Sequence, residues 1–143
     1  MHTPLCRHAE GEPTEYAAEA VRLGLTEIGF TEHAPMPGDD FDNWRMYERD
    51  LDLYVEKIDQ AAAENPAVTV RKSLEIDFVP GYEDWIRDLA KRQTWDYLIG
   101  SVHYIGDKWS FDHPDHRDSW EGRDIDAAWA EYYELLRQSA ALG

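Results

Sequence analysis

Val68-Thr69-Val70-Arg71-Lys72-Ser73-Leu74-Glu75-Ile76-Asp77-Phe78 is the stretch whose reading decides the fold. Val68, Val70, Leu74, Ile76 and Phe78 share one parity, so the alternation predicts a strand with an apolar face. Glu75 and Asp77 share the opposite face, late in that strand. Upstream, Leu51, Tyr54, Val55, Ile58 and Ala62 recur at helical spacing, which predicts a helix from about Tyr47 to Ala63 that ends at Asn65-Pro66. Downstream, Pro80-Gly81 turns the chain. Tyr82, Trp85, Ile86 and Leu89 then mark a helix, and Trp95 to Val102 reads as another strand.

The same alternation extends outward on both sides. Tyr16, Ala17, Ala20, Val21 and Leu23 predict a helix over Thr14 to Leu23, with Gly24 as its stop. Leu25 to Thr31 reads as a short buried strand. Gly106 to Arg123 reads as a long polar loop. Asp124 or Asp126 caps a last helix carrying Trp129, Tyr132, Tyr133, Leu135 and Leu136. Strands alternating with helices imply the α/β class, a parallel sheet with crossover helices. About four strands are legible, the first almost absent, and a closed β/α barrel runs to roughly 200 residues or more. The expectation is one domain over residues 1–143 that forms part of such a barrel. Its edge strand would then pair with a copy of the chain in a homo-oligomer, pair with a complementing C-terminal chain, or aggregate.

Thirty acids stand against 14 Lys plus Arg, a formal net charge of −16. Such a surface repels nucleic acid and anionic membrane, so neither is an expected partner. An anionic substrate would have to be drawn in by a local positive centre such as bound metal. Cys6 is the single cysteine, which excludes an intrachain disulfide and suits a cytoplasmic protein. No apolar run approaches the length of a membrane span, and the first residues lack the pattern of a signal peptide.

All six histidines sit beside turn residues or just after short apolar runs. His2 and His8 share one segment, Met1-His2-Thr3-Pro4-Leu5-Cys6-Arg7-His8. His33 and His103 each follow a strand-like run, and Glu75 lies late in a third. Neutral imidazole is the commonest protein ligand for Zn, Mn and Fe. A carboxylate among imidazoles suits a di- or trinuclear hydrolytic site, because one carboxylate can bridge two cations. His113 and His116 share the loop Phe111-Asp112-His113-Pro114-Asp115-His116. Cys6 has no neighbouring base and reads as packing. Trp44 and Trp109 fall in loops where they could line a pocket.

His2-Thr3-Pro4-Leu5-Cys6-Arg7-His8 resembles the first motif of the polymerase-and-histidinol-phosphatase (PHP) superfamily, and is most similar to its histidinol-phosphatase branch. Supporting stretches are Glu27-Ile28-Gly29-Phe30-Thr31-Glu32-His33-Ala34-Pro35, Leu74-Glu75-Ile76-Asp77-Phe78-Val79-Pro80-Gly81 and Ile99-Gly100-Ser101-Val102-His103, with Phe111-Asp112 after them. The resemblance implies a distorted, TIM-like β/α barrel with up to three divalent ions, Zn, Mn or Fe. It implies hydrolysis of L-histidinol phosphate to L-histidinol and phosphate, in histidine biosynthesis. By matched position, His2 binds the first metal, Glu75 bridges the first and third, His8 and His33 bind the second, and His103 binds the third. Glu75, His103 and His33 are the implied catalytic set.

The departures matter as well. The superfamily's first motif is His-x-His, and Met1 stands at the x position. A later strand-end histidine and a C-terminal Asp-x-His pair are not found. The expectation is therefore an incomplete copy with partial metal sites. Arg7, Asp77, Lys108, Asp112 and His113 are candidates for contact with substrate, and Arg117 and Arg123 for binding phosphate. Asp77 is also a candidate to support Glu75. Alternative readings are another PHP phosphoesterase and an inactive metal-binding remnant that needs a partner chain.

Overall fold

The computed structural model describes residues 1–142, and in it the α/β reading holds. The elements run α1 (Pro13–Arg22), β1 (Glu27–His33), α2 (Leu51–Glu64), β2 (Thr69–Asp77), α3 (Glu83–Arg92), β3 (Tyr97–Ser101), β4 (Tyr104–Ile105), β5 (Trp109–Ser110) and α4 (Ile125–Ala140). Strands β1, β2 and β3 form one sheet in that order, and β4 and β5 form a separate antiparallel pair. The chain divides into two compact units. The first comprises Met1–Ile76 and Arg92–Ile99; the second comprises Asp77–Lys91 and the chain from Gly100 onward. No helix among the described residues is long and apolar enough to cross a membrane.

In the first unit, Pro13 opens α1, where its missing N–H costs nothing. The Glu15 carboxylate accepts from the Glu12 backbone N–H at 2.7 Å. Gly24, at φ +72°, ends the helix, and Leu25 N–H donates back to the Ala20 carbonyl at 2.9 Å. Small side chains set the helix packing. Ala17, Ala20 and Ala61 are buried together with Val68, against Ile28 and Val70. Tyr54 of α2 is fully buried and its hydroxyl donates to the Ser73 carbonyl at 2.7 Å. On α2 the buried residues are Leu51, Tyr54, Ile58 and Ala61, so the apolar stripe passes through Ala61 where spacing suggested Ala62.

Strand β1 pairs with β2 in parallel, in a register that runs from Glu27 opposite Thr69 to His33 opposite Glu75. Burial rises along both strands toward their carboxyl ends, where residues of both parities are covered. Simple alternation does not foresee this; it is the signature of a parallel strand covered on both faces. Gly29 of β1 sits where a Cβ would collide with the Tyr97 hydroxyl of β3, so the glycine makes room for that side chain. Met1 runs alongside β1: Thr31 N–H donates to the Met1 carbonyl at 2.8 Å, and the terminal amine donates to the Gly29 carbonyl at 3.0 Å. The parallel sheet has three strands, fewer than the four expected. Tyr97, Leu98 and Ile99 of β3 are all exposed.

In the second unit, the segment expected as a long polar loop is structured. It holds β5 and a 3-10 segment, Pro114–Trp120. The reason is aromatic packing. Phe111 is buried, Trp109 and Trp120 lie edge to face at 4.8 Å, and Trp120 Nε1–H donates to the Phe111 carbonyl at 2.7 Å. Phe78, Val102, Ile105, Ala128 and Leu135 complete this core. Asp124, not Asp126, caps α4, accepting from Ala127 N–H at 3.0 Å. Trp129 and Tyr133 of α4 remain exposed.

Candidate metal centre

The parallel register brings His33 beside Glu75 at the carboxyl ends of β1 and β2. Adjacent parallel strands put paired residues on the same face, so the two side chains point to the same side. His33 Nδ1 lies 3.8 Å from Glu75 Oε1. His2 reaches the same carboxylate from the N-terminal segment, its Nε2 3.5 Å from Glu75 Oε2. The His2 and His33 rings stack, with centroids 4.3 Å apart and planes 25° apart. His8 lies next to them, 5.5 Å from His2 and 5.2 Å from His33 between ring centroids. Trp44 packs edge-on against His33 at 4.7 Å.

Local chemistry aims these rings. Thr3 Oγ1 accepts from Leu5 N–H at 3.2 Å and caps the 3-10 turn Pro4–Cys6. Arg7 then takes the left-handed conformation, φ +66°, which turns His8 back toward His2. His8 Nδ1 lies 3.0 Å from the Cys6 carbonyl, so Nδ1–H is the donor and Nε2 carries the lone pair. Burial lowers the pKa of the Met1 amine, partly offset by Glu32 and Glu75, which raise it.

Donor atoms of His2, His33 and Glu75 all lie within 4.8 Å of one another. Four ligands held tetrahedrally at ~2.1 Å from a zinc ion are spaced roughly 3.4 Å apart. The 3.5 Å between His2 and Glu75 meets that spacing. Two imidazoles and a carboxylate also suit Zn, Mn or Fe chemically. The residues therefore fit a divalent cation. His2, Cys6 and His8 make a second group at similar spacing. There Cys6 is fully buried, its thiol donates to the Thr3 carbonyl at 3.0 Å, and burial pushes its pKa up to about 11. These features agree with packing as the role of Cys6.

His103 and Asp77 belong to the second unit. Asp77 is buried, and its Oδ1 lies 2.5 Å from His103 Nδ1 and accepts the His103 backbone N–H at 3.1 Å. Asp77 is thus closed off from a ligand and acts on His103, which corrects its candidacy for substrate contact. His103 Nε2 lies 3.9 Å from Asp112 Oδ2. Partial burial raises the Asp112 pKa, opposed by His103.

Arg7, Lys108, His113 and Arg123 each have partners within the fold. Arg7 donates to the Tyr47 hydroxyl at 2.8 Å and to the Arg45 carbonyl at 2.9 Å, so its guanidinium ties two loops together. Lys108 Nζ donates to the Tyr82 hydroxyl at 3.1 Å. His113 Nδ1 accepts from Asp115 N–H at 3.2 Å, and its ring stacks on His116. Arg123 lies over the Trp109 ring at 3.6 Å, and Trp109 Nε1–H donates to Ser119. Trp109 packs against the aromatic core and also lines an open cavity with Ile105, Arg123 and Asp124, as its loop position suggested.

Sequence reasoning overlooked Glu32. It is fully buried and accepts from Thr3 N–H at 2.8 Å and His33 N–H at 3.1 Å, with Oε1 3.3 Å from His2 Nδ1. The signal was an ionisable residue inside a buried strand, one position before a candidate ligand.

The PHP domain family model matches residues 1–143. A Deinococcus radiodurans protein named "Probable histidinol-phosphatase" is 41% identical over 144 residues, covering all of this chain and 55% of the relative. The histidinol-phosphatase of Bacillus subtilis is 30% identical over 161 residues, covering all of this chain and 60% of the relative. The chain thus spans little more than half the length of these curated relatives. A crystal structure from Listeria monocytogenes superposes with a TM-score of 0.80 at 23% identity, covering 99% of this chain and 61% of that one, which establishes likeness of fold. The histidinol phosphate phosphatase of Lactococcus lactis, solved with Zn, L-histidinol and phosphate, gives a TM-score of 0.64 at 28% identity. It covers 75% of this chain and 40% of that one.

Proposed function

Because this chain belongs to the PHP domain family, we propose that it is a metal-dependent phosphomonoesterase of the histidinol-phosphatase type. Its substrate is L-histidinol phosphate and its products are L-histidinol and phosphate. Residues 1–143 act as one domain in the cytoplasm. The observation that carries this reading is the convergence of His2, His33 and Glu75 donor atoms within 4.8 Å of one another.

His2, His33 and Glu75 hold a divalent cation, with His8 beside them. In the second unit, His103 is read as a cation ligand through Nε2, because Asp77 occupies Nδ1. Divalent cations in such a site supply positive charge against the phosphate oxygens and lower the pKa of bound water. The rest falls to the chain. Trp44 covers one edge of His33 and limits water there. Glu75 keeps a negative charge between two imidazoles. A net charge of −16 repels phosphate esters over most of the surface, so a phosphoryl group binds only where that field is reversed.

The test measures inorganic phosphate released by the purified chain, with Zn²⁺ or Mn²⁺, from L-histidinol phosphate and from p-nitrophenyl phosphate. Metal-dependent release that is faster from L-histidinol phosphate is expected. Equal rates would move the assignment to a general phosphoesterase of the same family. Metal binding without release from either ester would overturn the enzymatic reading for this chain.

A further inference from the structure

Glu32 is an unusual residue to bury. A carboxylate withdrawn from water loses several kcal/mol of hydration unless donors replace the solvent. Here the donors are Thr3 N–H at 2.8 Å, the Thr3 hydroxyl, His33 N–H at 3.1 Å and, on Oε1 at 3.3 Å, His2 Nδ1. Thr3 follows His2 in the chain, and His33 is itself a member of the donor cluster. One carboxylate therefore braces both histidines.

The His2 contact differs in kind from the other three. Thr3 and the His33 backbone need only acceptor oxygens, and they use one each, Oε2 and Oε1. A carboxylate, however, only accepts, so the His2 nitrogen that faces it carries the proton. That places a proton on Nδ1 and makes Nε2, 3.5 Å from Glu75 Oε2, the atom that would take a cation. The same relation recurs in the second unit, where buried Asp77 faces His103 Nδ1 at 2.5 Å. His8 is pinned likewise, with the Cys6 carbonyl as acceptor.

We propose that Glu32 is a positioning residue: it holds His2 as the Nδ1–H tautomer with Nε2 turned to Glu75, and so sets the cation affinity of the His2–His33–Glu75 cluster. This rests on the metal-centre reading above. Partners of this kind typically change metal affinity by about 10–100-fold when removed.

The experiment uses the whole metal-free chain and Zn²⁺ alone, in competition with a chelator of known affinity. Glu32→Gln keeps the shape but loses the charge and turns one of two acceptor oxygens into an N–H donor. It is expected to weaken Zn²⁺ binding by about 10–100-fold. His2→Asn should also weaken binding, and adding Glu32→Gln to His2→Asn should cost nothing more, because the route through His2 is already gone. A role confined to bracing Thr3 and His33 would make the two losses multiply. A second measurement needs no variant. Long-range ¹H–¹⁵N spectra of ring-labelled histidine in the metal-free wild-type chain should show His2 protonated at Nδ1. An Nδ1 that carries no proton, wild-type affinity in Glu32→Gln, or multiplying losses would each overturn the proposal. Zn²⁺ binding that weakens in His2→Asn but not in Glu32→Gln removes Glu32 alone. Failure of the wild-type chain to bind Zn²⁺ removes the metal-centre reading and this proposal together.

Discussion

Replacing Glu75 with Gln removes one negative charge from between two imidazoles and changes almost nothing else. The side chain is 18% exposed, so the amide meets water and leaves no buried group orphaned. Its two oxygens lie 3.5 Å from His2 Nε2 and 3.8 Å from His33 Nδ1, and it is the anionic member of that group of three. Structural zinc sites with four ligands contribute about 10–16 kcal/mol, or about 3 kcal/mol per ligand. At 1.4 kcal/mol per factor of ten, losing one ligand weakens binding by roughly 100-fold. The neutral amide oxygen remains a poor donor, which keeps the loss near that value. Zn²⁺ titration against a competing chelator, on metal-free wild type and Glu75→Gln side by side, reads this directly. Thermal unfolding without metal should be nearly the same for both chains, which separates lost ligation from lost folding. A Glu75→Gln chain that binds Zn²⁺ within about threefold of wild type, a difference of only ~0.7 kcal/mol, would refute the ligand assignment.

His113→Ala should leave both the number of Zn²⁺ ions bound and their affinity unchanged, since His113 Nδ1 already accepts Asp115 N–H at 3.2 Å; a lost ion in the same titration would contradict this. Asp42→Ala should destabilise the chain by about 3–5 kcal/mol in a denaturant titration, because it removes the anionic partner of a buried guanidinium. Arg45 Nε donates to Asp42 Oδ2 at 2.6 Å, and both side chains are nearly inaccessible to solvent. A cost under about 1 kcal/mol would show that water reaches the pair. Glu134 should titrate at about 2, well below an ordinary glutamate, because Arg137 and then Gln138 bond its ionised form on the exposed face of α4. A folded-state pKa below the unfolded value stabilises at high pH, so this contribution is complete above pH 4.5 and fades as pH falls toward about 2. NMR titration of the Glu134 carboxyl gives the midpoint, and a value near 4.5 would remove the interaction.

Much of this fold was legible in the residues alone. Helix-period stripes marked α1, α2 and α3, and the glycine after α1 marked its end, because periodicity and backbone freedom are local properties. The segment from Gly106 to Arg123 was misread for the opposite reason. Its charges and turn residues describe a loop, while Trp109, Phe111 and Trp120 acquire a role only when they meet. The six histidines were visible as candidates, but nothing local divides them. His113 and His116 look as suitable as His33 until the fold engages them elsewhere.

By itself the sequence determined the α/β class, the strongly acidic surface, and ligand-type residues at strand ends in an order that matches one family. Only the tertiary structure decided the register that sets His33 against Glu75, the return of His2 to that carboxylate, and the burial of Glu32 behind His2. Register and burial are sums over contacts distant in the chain. A one-residue slip of β1 against β2 would turn its side chains to the other face and dissolve the cluster, with every local signal unchanged.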